Sequence, residues 1–414
     1  VGVPTDCPQR DERLGWMGDA QIFWDAASFN MDVSAFTRRF MRDARDGQSP
    51  DGAFAEFNPQ SRLAQMKGAP GWADAGILLP WTTWRRYGDT AIIDENWQSM
   101  MRYADCVMNS NPDFLWRNAR GTDYGDWLAL DAKEPGDPTT PKELIATAYW
   151  YRATVALADM AGATSRTQSA RRLRMRAGRI AGAFRNAFVA PDGQVGNGSQ
   201  TGYLLALKFG LIPPQLRGSA GAHLVGDIIR RGTMLSTGFL GTPIALDVLL
   251  DLGERNLVRA LLERTDYPSW GYMVRHGATT VWERWNGDMG DIAMNSFNHY
   301  ALGAIVGFFY RRLAGIDAAR PGFSSVLIAP DMWLGFGQVR ASYASQSGRI
   351  ETAWMRRGRE AHLDVAIPDN ATGLLRLPAG PSHTATLGGR PLSRRTNEYH
   401  ATLPSGRHRI VVDG

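Results

Sequence analysis

Apolar residues recur at helical spacing over most of the chain between residues 17 and 313. A period of three to four residues indicates an amphipathic helix, whereas a half-buried strand alternates apolar and polar positions. Very little of this stretch alternates. The pattern predicts eleven helices, over residues 17–30, 33–47, 72–87, 91–109, 142–162, 165–189, 200–209, 215–231, 241–252, 255–265 and 295–313.

Short turns and long loops alternate between these helices. The long loops are rich in Gly, Trp, Asp and Asn and cover residues 48–71, 110–141, 190–199 and 266–294. Helices that pair as hairpins and close into a ring collect their long loops at one end. A closed ring needs an even number of helices, so we expect a twelfth helix before Val1 and an α/α toroid of six hairpins. The rival architecture is an open helical solenoid, but no repeat period is visible.

After residue 314 the pattern changes to short alternating or β-branched runs that are separated by Gly, Pro and Asn turns. Runs such as EAHLDVAIP and HRIVVDG are typical of strands. We therefore predict a mainly α chain. Its α/α-barrel domain covers residues 1–319, and a small antiparallel β-sandwich covers residues 320–414.

Composition excludes several classes of protein. With 414 residues, 44% of them apolar, the chain is globular and large enough for more than one core. Two cysteines cannot form a disulfide framework for this length. The net charge of +5 comes from arginines scattered among acids, which does not indicate a nucleic-acid partner. No run of eighteen apolar residues predicts a membrane span.

The start of the chain leaves its cellular compartment open. The sequence begins at Val1 without an initiator methionine or a visible signal peptide, and it looks like the later part of a longer protein. Nothing in the sequence indicates an oligomeric state.

Four loops place tryptophan beside carboxylates. Indole rings cover the C–H faces of a pyranose, and charged groups bind its hydroxyls strongly. Taken singly, each tryptophan or histidine also fits an ordinary core position, but together on one predicted face they favour a sugar site. The residues are Asp6, Arg10, Glu12, Trp16 and Asp19 in the opening loop, Trp72 and Asp74, Asp126 and Trp127, and Glu283 with the later His299.

Glycoside hydrolysis needs two carboxyl groups across the scissile bond. Glu12 lies among three aspartates, whose negative charge favours the protonated form that a general acid requires. Arg10 and Arg13 leave the opposite interpretation open, because either can hold Glu12 ionised. Glu283 has threonines and an arginine as sequence neighbours, which suits an ionised general base.

Other chemistries lack their motifs. The sequence contains no Walker or dinucleotide-binding glycine loop, no nucleophile elbow and no His/Cys spacing for zinc. Its carboxylates lack the alternation of an EF-hand calcium loop. We therefore expect neither a metal nor a cofactor.

The opening segment VPTDCPQRDERLGWMGDAQ resembles the signature of the bacterial α-L-rhamnosidases of glycoside hydrolase family 78. GWADAGILLPW, YGDWLAL, TTPKELIATAYWY, GATTVWERW and MNSFNHYALGA follow in the family's order, so the resemblance covers essentially the whole chain. It implies a six-hairpin α/α barrel followed by a β-sandwich. It also implies inverting hydrolysis of terminal α-L-rhamnose from a rhamnosylated small molecule, oligosaccharide or polysaccharide.

The same resemblance assigns roles to individual residues. It makes Glu12 the general acid and Glu283 the general base. The positions that match rhamnose-binding residues are Asp6, Arg10, Trp16, Asp19, Trp72, Asp126, Trp127 and His299.

Two features depart from the family pattern. First, family members carry β-sandwich domains and the first barrel helix upstream of the opening motif, and this sequence does not include them. Second, the loop between Glu283 and His299 is shorter here than we expect. Two alternative functions stay open at this point. One is another glycosidase or a polysaccharide lyase on the same barrel, and the other is a truncated, inactive sugar-binding chain.

Overall fold

The computed structural model describes residues 13–60, 66–289, 296–380 and 382–414. The chain divides into two compact units. The helical unit holds the described residues up to Ala27, Ala35–Trp81 and Thr90–Ala304. The sheet unit holds Ser28–Ser34, Thr82–Asp89 and Ile305–Gly414. The domain boundary at residue 320 stays a prediction.

Helices account for most of the regular structure before residue 315. The described residues form α1 (Met17–Asn30), α2 (Ser34–Asp46), α3 (Ala75–Tyr87), α4 (Ala91–Ser110), α5 (Lys142–Ala163), α6 (Thr167–Phe188), α7 (Gln200–Lys208), α8 (Arg217–Arg230), α9 (Thr242–Asp251), α10 (Arg255–Glu263), α11 (Trp270–Arg275) and α12 (Ile305–Phe308). The bounds of α1 to α10 agree with the predicted helices to within a few residues. Within the described ranges, no helix is long and apolar enough to cross a membrane.

The helices of the helical unit alternate between two environments. α5, α7 and α9 bury most of their residues, and α7 contacts both of the others. α6, α8 and α10 each bury a single stripe, and each packs against the helix that precedes it in the chain. A helix that is buried all round lies inside, whereas a helix with one apolar stripe covers it from outside. The chain therefore winds through hairpins of one inner and one outer helix.

Connections within a hairpin are short, and those between hairpins are long. Residues 164–166 join α5 to α6, and residues 252–254 join α9 to α10. By contrast, residues 111–141 lead from α4 to α5, and residues 231–241 lead from α8 to α9. Because successive hairpins run in the same sense, the long connections meet at one end of the helical unit. The predicted site residues that the structure describes lie in or beside them.

The last predicted helix, over residues 295–313, is less regular than its pattern suggests. Residues 290–295 lie outside the described ranges, and a 3-10 turn at Leu302–Ala304 precedes α12. A π-helical turn, Phe309–Ala314, follows α12. Gly315 then ends the helix at a φ of 74°, where a Cβ would lie 2.2 Å from the Pro330 nitrogen. Only glycine fits this position.

α11 was not predicted, because six residues contain too few helical periods to be recognised in the sequence. Its start is fixed by a side chain. Ser269 is the N-cap, and its hydroxyl accepts a hydrogen bond from the Tyr272 amide at 2.9 Å.

The sheet unit is built from two β-sheets. Its strands are β1 (Ile316–Ala318), β2 (Ser325–Ile328), β3 (Gln338–Ser345), β4 (Gly348–Arg357), β5 (Glu360–Ile367), β6 (Thr372–Pro378), β7 (Thr384–Leu387), β8 (Arg390–Pro391), β9 (Arg394–Arg395), β10 (Glu398–Leu403) and β11 (Gly406–Asp413). One sheet has the order β1-β2-β6-β10-β9, and the other has the order β3-β4-β5-β11-β7-β8. β2 and β6 pair in parallel, a feature that the prediction of an antiparallel sandwich did not include.

Alternate residues of the strands form the core of the sheet unit, as the period-two pattern predicts. Trp354 of β4 is buried there, and its indole N–H donates to the Leu313 carbonyl at 2.7 Å. The pairing satisfies a donor that would otherwise be costly to bury.

The sheet unit also contains a buried cation near the end of α3. The guanidinium of Arg86 lies 4.2 Å from the ring centroid of Phe29 and donates to Asp317 at 2.9 Å. Burial of an arginine costs several kcal/mol unless the charge is paired and hydrogen-bonded. Phe29, at the end of α1, belongs to the same hydrophobic core as β4 and β5.

Candidate active site

Three of the predicted site residues, Asp6, Arg10 and Glu12, lie outside the described residues. The structure describes the other seven residues to which the resemblance assigns a role, which are Trp16, Asp19, Trp72, Asp126, Trp127, Glu283 and His299.

Tyr124 lies at the centre of an aromatic wall that joins three of the predicted tryptophans. Its ring centroid is 4.5 Å from that of Trp72, 5.7 Å from Trp127 and 5.8 Å from Trp16. Such tilted and edge-to-face contacts are favourable arrangements of aromatic rings. Three tryptophans from three separate loops therefore form one continuous aromatic cluster, in which Trp72 is buried and Trp16 and Trp127 are partly exposed.

A buried carboxylate fixes the Tyr124 ring. The phenol of Tyr124 donates to Glu56 at 2.7 Å, and Thr122 donates to the same carboxylate from its amide at 3.1 Å and from its hydroxyl at 2.9 Å. Burial, together with the hydrogen bond to Glu56, raises the pKa of Tyr124 well above its ordinary value, so the phenol keeps its proton. Gly121 approaches so closely that a Cβ would lie 2.2 Å from a Glu56 oxygen.

Sequence reasoning missed both Tyr124 and Glu56. Tyr124 stands inside the quoted motif YGDWLAL, so its aromatic neighbours were a usable signal. Glu56 lies in the plain segment AFAEFNP, and no pattern there separates it from a solvated acid. Its role depends on contacts with residues more than sixty positions away.

The first turn of α1 packs directly on the aromatic wall. A Cβ at Gly18 would lie 2.4 Å from the Trp72 indole, so the indole rests on the glycine backbone. The next residue, Asp19, is buried in the first turn of the fourteen-residue helix. A carboxylate at this position is stabilised by the helix dipole.

Asp19 faces the predicted site histidine. The Nε2 atom of His299 lies 3.3 Å from Asp19 Oδ1, and both side chains are buried. The Ala301 amide donates to His299 Nδ1 at 3.2 Å. Because Nδ1 accepts a hydrogen bond, the ring carries its proton on Nε2, towards Asp19.

Glu283 is held by the segment that also carries His299. Its amide donates to the Ser296 carbonyl at 2.9 Å, and the Ser296 amide donates back to the Glu283 carboxylate at 3.0 Å. The His299 amide donates to the Val281 carbonyl at 2.8 Å. These bonds hold Glu283 next to the segment of residues 296–299, which carries His299.

The two tryptophans that flank Glu283 are core residues. Trp282 and Trp285 pack in a hydrophobic cluster with Tyr272 and Leu302. Glu283, between them in sequence, lines a cavity of about 190 Å³. The tryptophans of the WERW motif therefore anchor the loop, while the glutamate borders open space.

Asp126 accepts four hydrogen bonds from the protein itself. One oxygen accepts from the Leu240 amide at 2.7 Å and the Gly241 amide at 3.3 Å, and the other accepts from the Gly238 amide at 2.8 Å and the Thr201 hydroxyl. Burial raises the pKa of Asp126, and these donors oppose that rise. A carboxylate has about four lone-pair sites, so this arrangement leaves none for a sugar hydroxyl. Here Asp126 positions the loop at residues 238–241.

That loop carries Phe239, which connects the remaining predicted residues. The Phe239 amide donates to the Trp127 carbonyl at 2.9 Å, and its ring centroid lies 5.3 Å from that of His299. Phe239 also lines the cavity beside Glu283. Residues 231–241 are not among the predicted long loops, so sequence reasoning missed Phe239 as a site residue. The structure thus brings all seven described residues into one connected site.

Within the ranges that the structure describes, no three His, Cys, Asp or Glu side chains are grouped as metal ligands. The site instead combines an indole-lined wall, a His–Asp pair and a carboxylate at the edge of a cavity. Such a site can hold the apolar face of a sugar, bind its hydroxyls and accept a proton from water.

Comparison with known families gives two matches along the chain. Residues 1–313 match the bacterial alpha-L-rhamnosidase 6 hairpin glycosidase domain. Residues 315–390 match the bacterial alpha-L-rhamnosidase C-terminal domain.

Two similar proteins are described as alpha-L-rhamnosidases. The chain is 38% identical to an alpha-L-rhamnosidase of Streptomyces avermitilis, over 100% of this chain and 39% of that protein. It is 34% identical to one of Formosa agariphila, over 92% of this chain and 42% of that protein. The chain therefore spans less than half the length of these relatives.

Solved structures agree with the fold. The crystal structure of the Streptomyces avermitilis alpha-L-rhamnosidase complexed with L-rhamnose has a TM-score of 0.90 and 36% identity, over 99% of this chain and 39% of that one. The alpha-L-rhamnosidase of Dictyoglumus thermophilum has a TM-score of 0.92 and 28% identity, over 100% of this chain and 47% of that one. The predicted α/α barrel of hairpins followed by β-sheets is confirmed.

Proposed function

The chain belongs to the bacterial α-L-rhamnosidase family, and from this premise we propose that it forms the catalytic part of an inverting glycoside hydrolase that releases terminal α-L-rhamnose. The observation that carries the proposal is the anchored carboxylate of Glu283. It lines the cavity and is oriented by the Ser296 amide. A general base must hold its position to activate one water molecule.

The proposed reaction uses two carboxyl groups. Glu12 protonates the departing glycosidic oxygen, while Glu283 removes a proton from a water that attacks the anomeric carbon from the opposite face. The glycosidic bond breaks as the new C–O bond forms, and the product leaves with inverted configuration. This geometry needs about 6.5–9.5 Å between the two carboxyl groups.

The remaining residues are proposed to hold the sugar. Rhamnose carries a methyl group where many sugars carry a hydroxymethyl, so a wall of indoles suits it. Trp16 and Trp127 would supply the partly exposed faces of that wall, with the buried Trp72 behind them. Asp19 would bind a hydroxyl as a charged acceptor that the Nε2–H of His299 orients, with Asp6 and Arg10 from the opening loop.

The role that we propose for Asp126 is indirect. Its carboxylate fixes the loop of Phe239, which contacts His299 and lines the cavity. The substrate is proposed to be a rhamnosylated small molecule, oligosaccharide or polysaccharide. The bound L-rhamnose named for the Streptomyces avermitilis structure supports this class of substrate.

The test is rhamnose release from an aryl α-L-rhamnoside, compared with aryl glucosides and uronides. We expect hydrolysis of the rhamnoside alone, with the β-anomer as the first product seen by NMR. Glu283→Gln should lower kcat by about 10²–10⁴-fold for good and poor leaving groups alike. Glu12→Gln should spare substrates with good leaving groups, because they need little protonation.

Glu263→Gln is the matched control, because Glu263 is an exposed glutamate at the end of α10. It should keep full activity. If the chain alone is inactive, the same variants are compared in a version extended upstream. Retention of activity by Glu283→Gln in an active protein, or release of the α-anomer first, would refute the proposal.

A further inference from the structure

The positive charge of the chain is concentrated in its last part. Residues 305–414 contain fourteen arginines, no lysine and eight carboxylates. Their net charge of +6 exceeds the +5 of the whole chain, so residues 1–304 carry a slight negative charge. A basic sheet unit therefore follows a nearly neutral helical unit.

Four of these arginines lie on the outward face of the six-stranded sheet. Register places Arg340, Ala353, Asp364 and Arg409 in one row across β3, β4, β5 and β11. Neighbouring strands lie about 4.8 Å apart, so this row is roughly 14 Å long. The short side chain of Ala353 leaves a depression between the outer arginines.

A second row runs beside the first. It contains Ser342, Glu351, Ala366 and Arg407 on the same four strands. Arg349 reaches into this row and donates to Glu351 and to Ser342, each at 2.9 Å. The two rows line a groove of about 870 Å³.

The guanidinium groups in the groove keep donors for a ligand. Arg409 pairs with Asp364 through two bonds of 2.7 and 3.2 Å, whereas Arg407 makes one 3.2 Å contact and its side chain is 82% exposed. Arg340 has no ion pair with any residue that the structure describes. A guanidinium has five N–H donors. Arg340 and Arg407 are therefore available, at opposite sides of the groove.

We propose that this groove binds a uronate-containing polysaccharide. Each uronate residue presents a carboxylate, which an arginine recognises with two parallel hydrogen bonds. Each also presents hydroxyls, for which Glu351 and Asp364 are acceptors. Four guanidiniums against two carboxylates leave a net positive groove that complements a polyanion. This binding goes beyond the proposed hydrolysis and does not depend on it.

The mixed charge of the groove favours a polysaccharide over a nucleic acid. A nucleic acid presents phosphates at every step and few hydroxyls, so the two acids would repel it. Among the described residues, the groove lining also contains no Phe, Tyr or Trp on which successive bases could stack. Polyuronate, with one charge per sugar and free hydroxyls, matches both kinds of side chain.

The test measures binding of the full chain to immobilised polygalacturonate. Fully methyl-esterified polygalacturonate is the uncharged control polymer, and double-stranded DNA is the second polyanion. We expect Arg340→Gln/Arg407→Gln to weaken binding to polygalacturonate about tenfold, and circular dichroism to show an unchanged fold. Arg390→Gln/Arg395→Gln removes the same charge from exposed positions on β8 and β9 and should leave binding within about twofold.

Four outcomes would overturn the proposal. They are no binding to polygalacturonate, equal binding to its methyl ester, equal weakening by the two double variants, and tighter binding to DNA. Equal weakening would indicate diffuse attraction to a basic surface. None of these readouts uses rhamnoside hydrolysis, so failure of the proposed activity would leave this test intact.

Discussion

The loop end of the helical unit and the outer face of the six-stranded sheet are both rich in charged residues. The first buries its charged side chains, whereas the second exposes them to solvent. Asp19, Glu56 and Asp126 are buried at the first; several donors surround the oxygens of Glu56 and Asp126, and His299 faces Asp19. At the second, Arg407 and Arg409 are mostly exposed. A buried charge needs preorganised partners, whereas an exposed one is screened by water and salt.

The difference teaches how to weigh charged residues in a sequence. A charged motif alone does not separate a site from a solvated surface. The helical unit fixes Glu56 and Asp126 with amides or hydroxyls from other loops, so losing either carboxylate disturbs several segments. On the sheet face each ion pair contributes little to folding, and its groups remain available to a ligand.

The largest effect is expected at Asp126. Asp126→Ala leaves three amides and the Thr201 hydroxyl without their acceptor. At roughly 1–3 kcal/mol for each buried unsatisfied donor, the free energy of unfolding should fall by at least about 4 kcal/mol. Urea unfolding followed by circular dichroism measures it. Asp131→Ala, at an exposed acid paired with Arg231, is the control and should change it by less than about 1 kcal/mol.

A cost at Asp126 no larger than that at Asp131 would break the distinction between buried and exposed acids. An intermediate cost for Asp126→Asn would sharpen it. The asparagine side chain keeps one oxygen as an acceptor, but its NH2 group replaces the other oxygen and points its own N–H donors at the donors that surround Asp126.

The next effect is a pH dependence at Asp74, whose pKa burial raises from 3.8 to about 7. Between these values the folded state binds more protons than the unfolded state, so its stability falls as pH rises. The loss should amount to about 4 kcal/mol between pH 4 and pH 8. Asp74→Asn removes this titration, so the variant should gain stability relative to the parent chain as pH rises.

Paired urea titrations of the two proteins at pH 4.5 and pH 8 measure the gain at Asp74. The exposed Asp364→Asn serves as the control and should show no comparable change. A difference between parent and Asp74→Asn that is the same at both pH values would contradict a raised pKa.

A smaller effect is expected at Tyr124. Tyr124→Phe keeps the ring in the aromatic wall but removes the donor to Glu56. A hydrogen bond to a charged group contributes about 1.5–3 kcal/mol, so stability should fall by about 2 kcal/mol. If the wall binds the sugar, KM for the aryl rhamnoside should rise more than kcat falls. Tyr151→Phe is the control, and a larger fall in kcat than rise in KM would argue against a wall that only binds.

The smallest effect is expected on the sheet face. Arg409→Gln breaks the two-bond pair with Asp364, yet both side chains are more than half exposed. Such pairs contribute about 0–1 kcal/mol, so thermal unfolding should hardly change. A loss above about 2 kcal/mol would show that this face is structural, and it would remove the contrast between the two regions.

The sequence predicted the outer helices well because one apolar stripe repeats clearly along each of them. α6 and α10 are examples, and their bounds lie close to the predicted ones. The short α11 carried too little periodicity to be placed, and the pattern over residues 295–313 predicted one regular helix where the structure has a 3-10 turn, α12 and a π-helical turn. Apolar periodicity therefore predicted a helix where it extended over several turns.

The site was only partly predictable, for a different physical reason. Trp72 and Glu283 stood out because tryptophan beside an acid is uncommon. Glu56 and Phe239 did not, since their importance comes from partners far along the chain. The four donors of Asp126 also come from segments at least seventy residues away, so no local pattern reveals that its oxygens are occupied.

The sheet unit is discontinuous in the chain, and this affects how the protein must be made. Phe29 and Arg86 leave the ribosome more than two hundred residues before Asp317 and the strands that complete their surroundings. At about 5–20 residues per second, they wait roughly ten seconds to a minute. During translation, therefore, the ion pair of Arg86 with Asp317 and the core around Phe29 form only after the strands of the last hundred residues have been made.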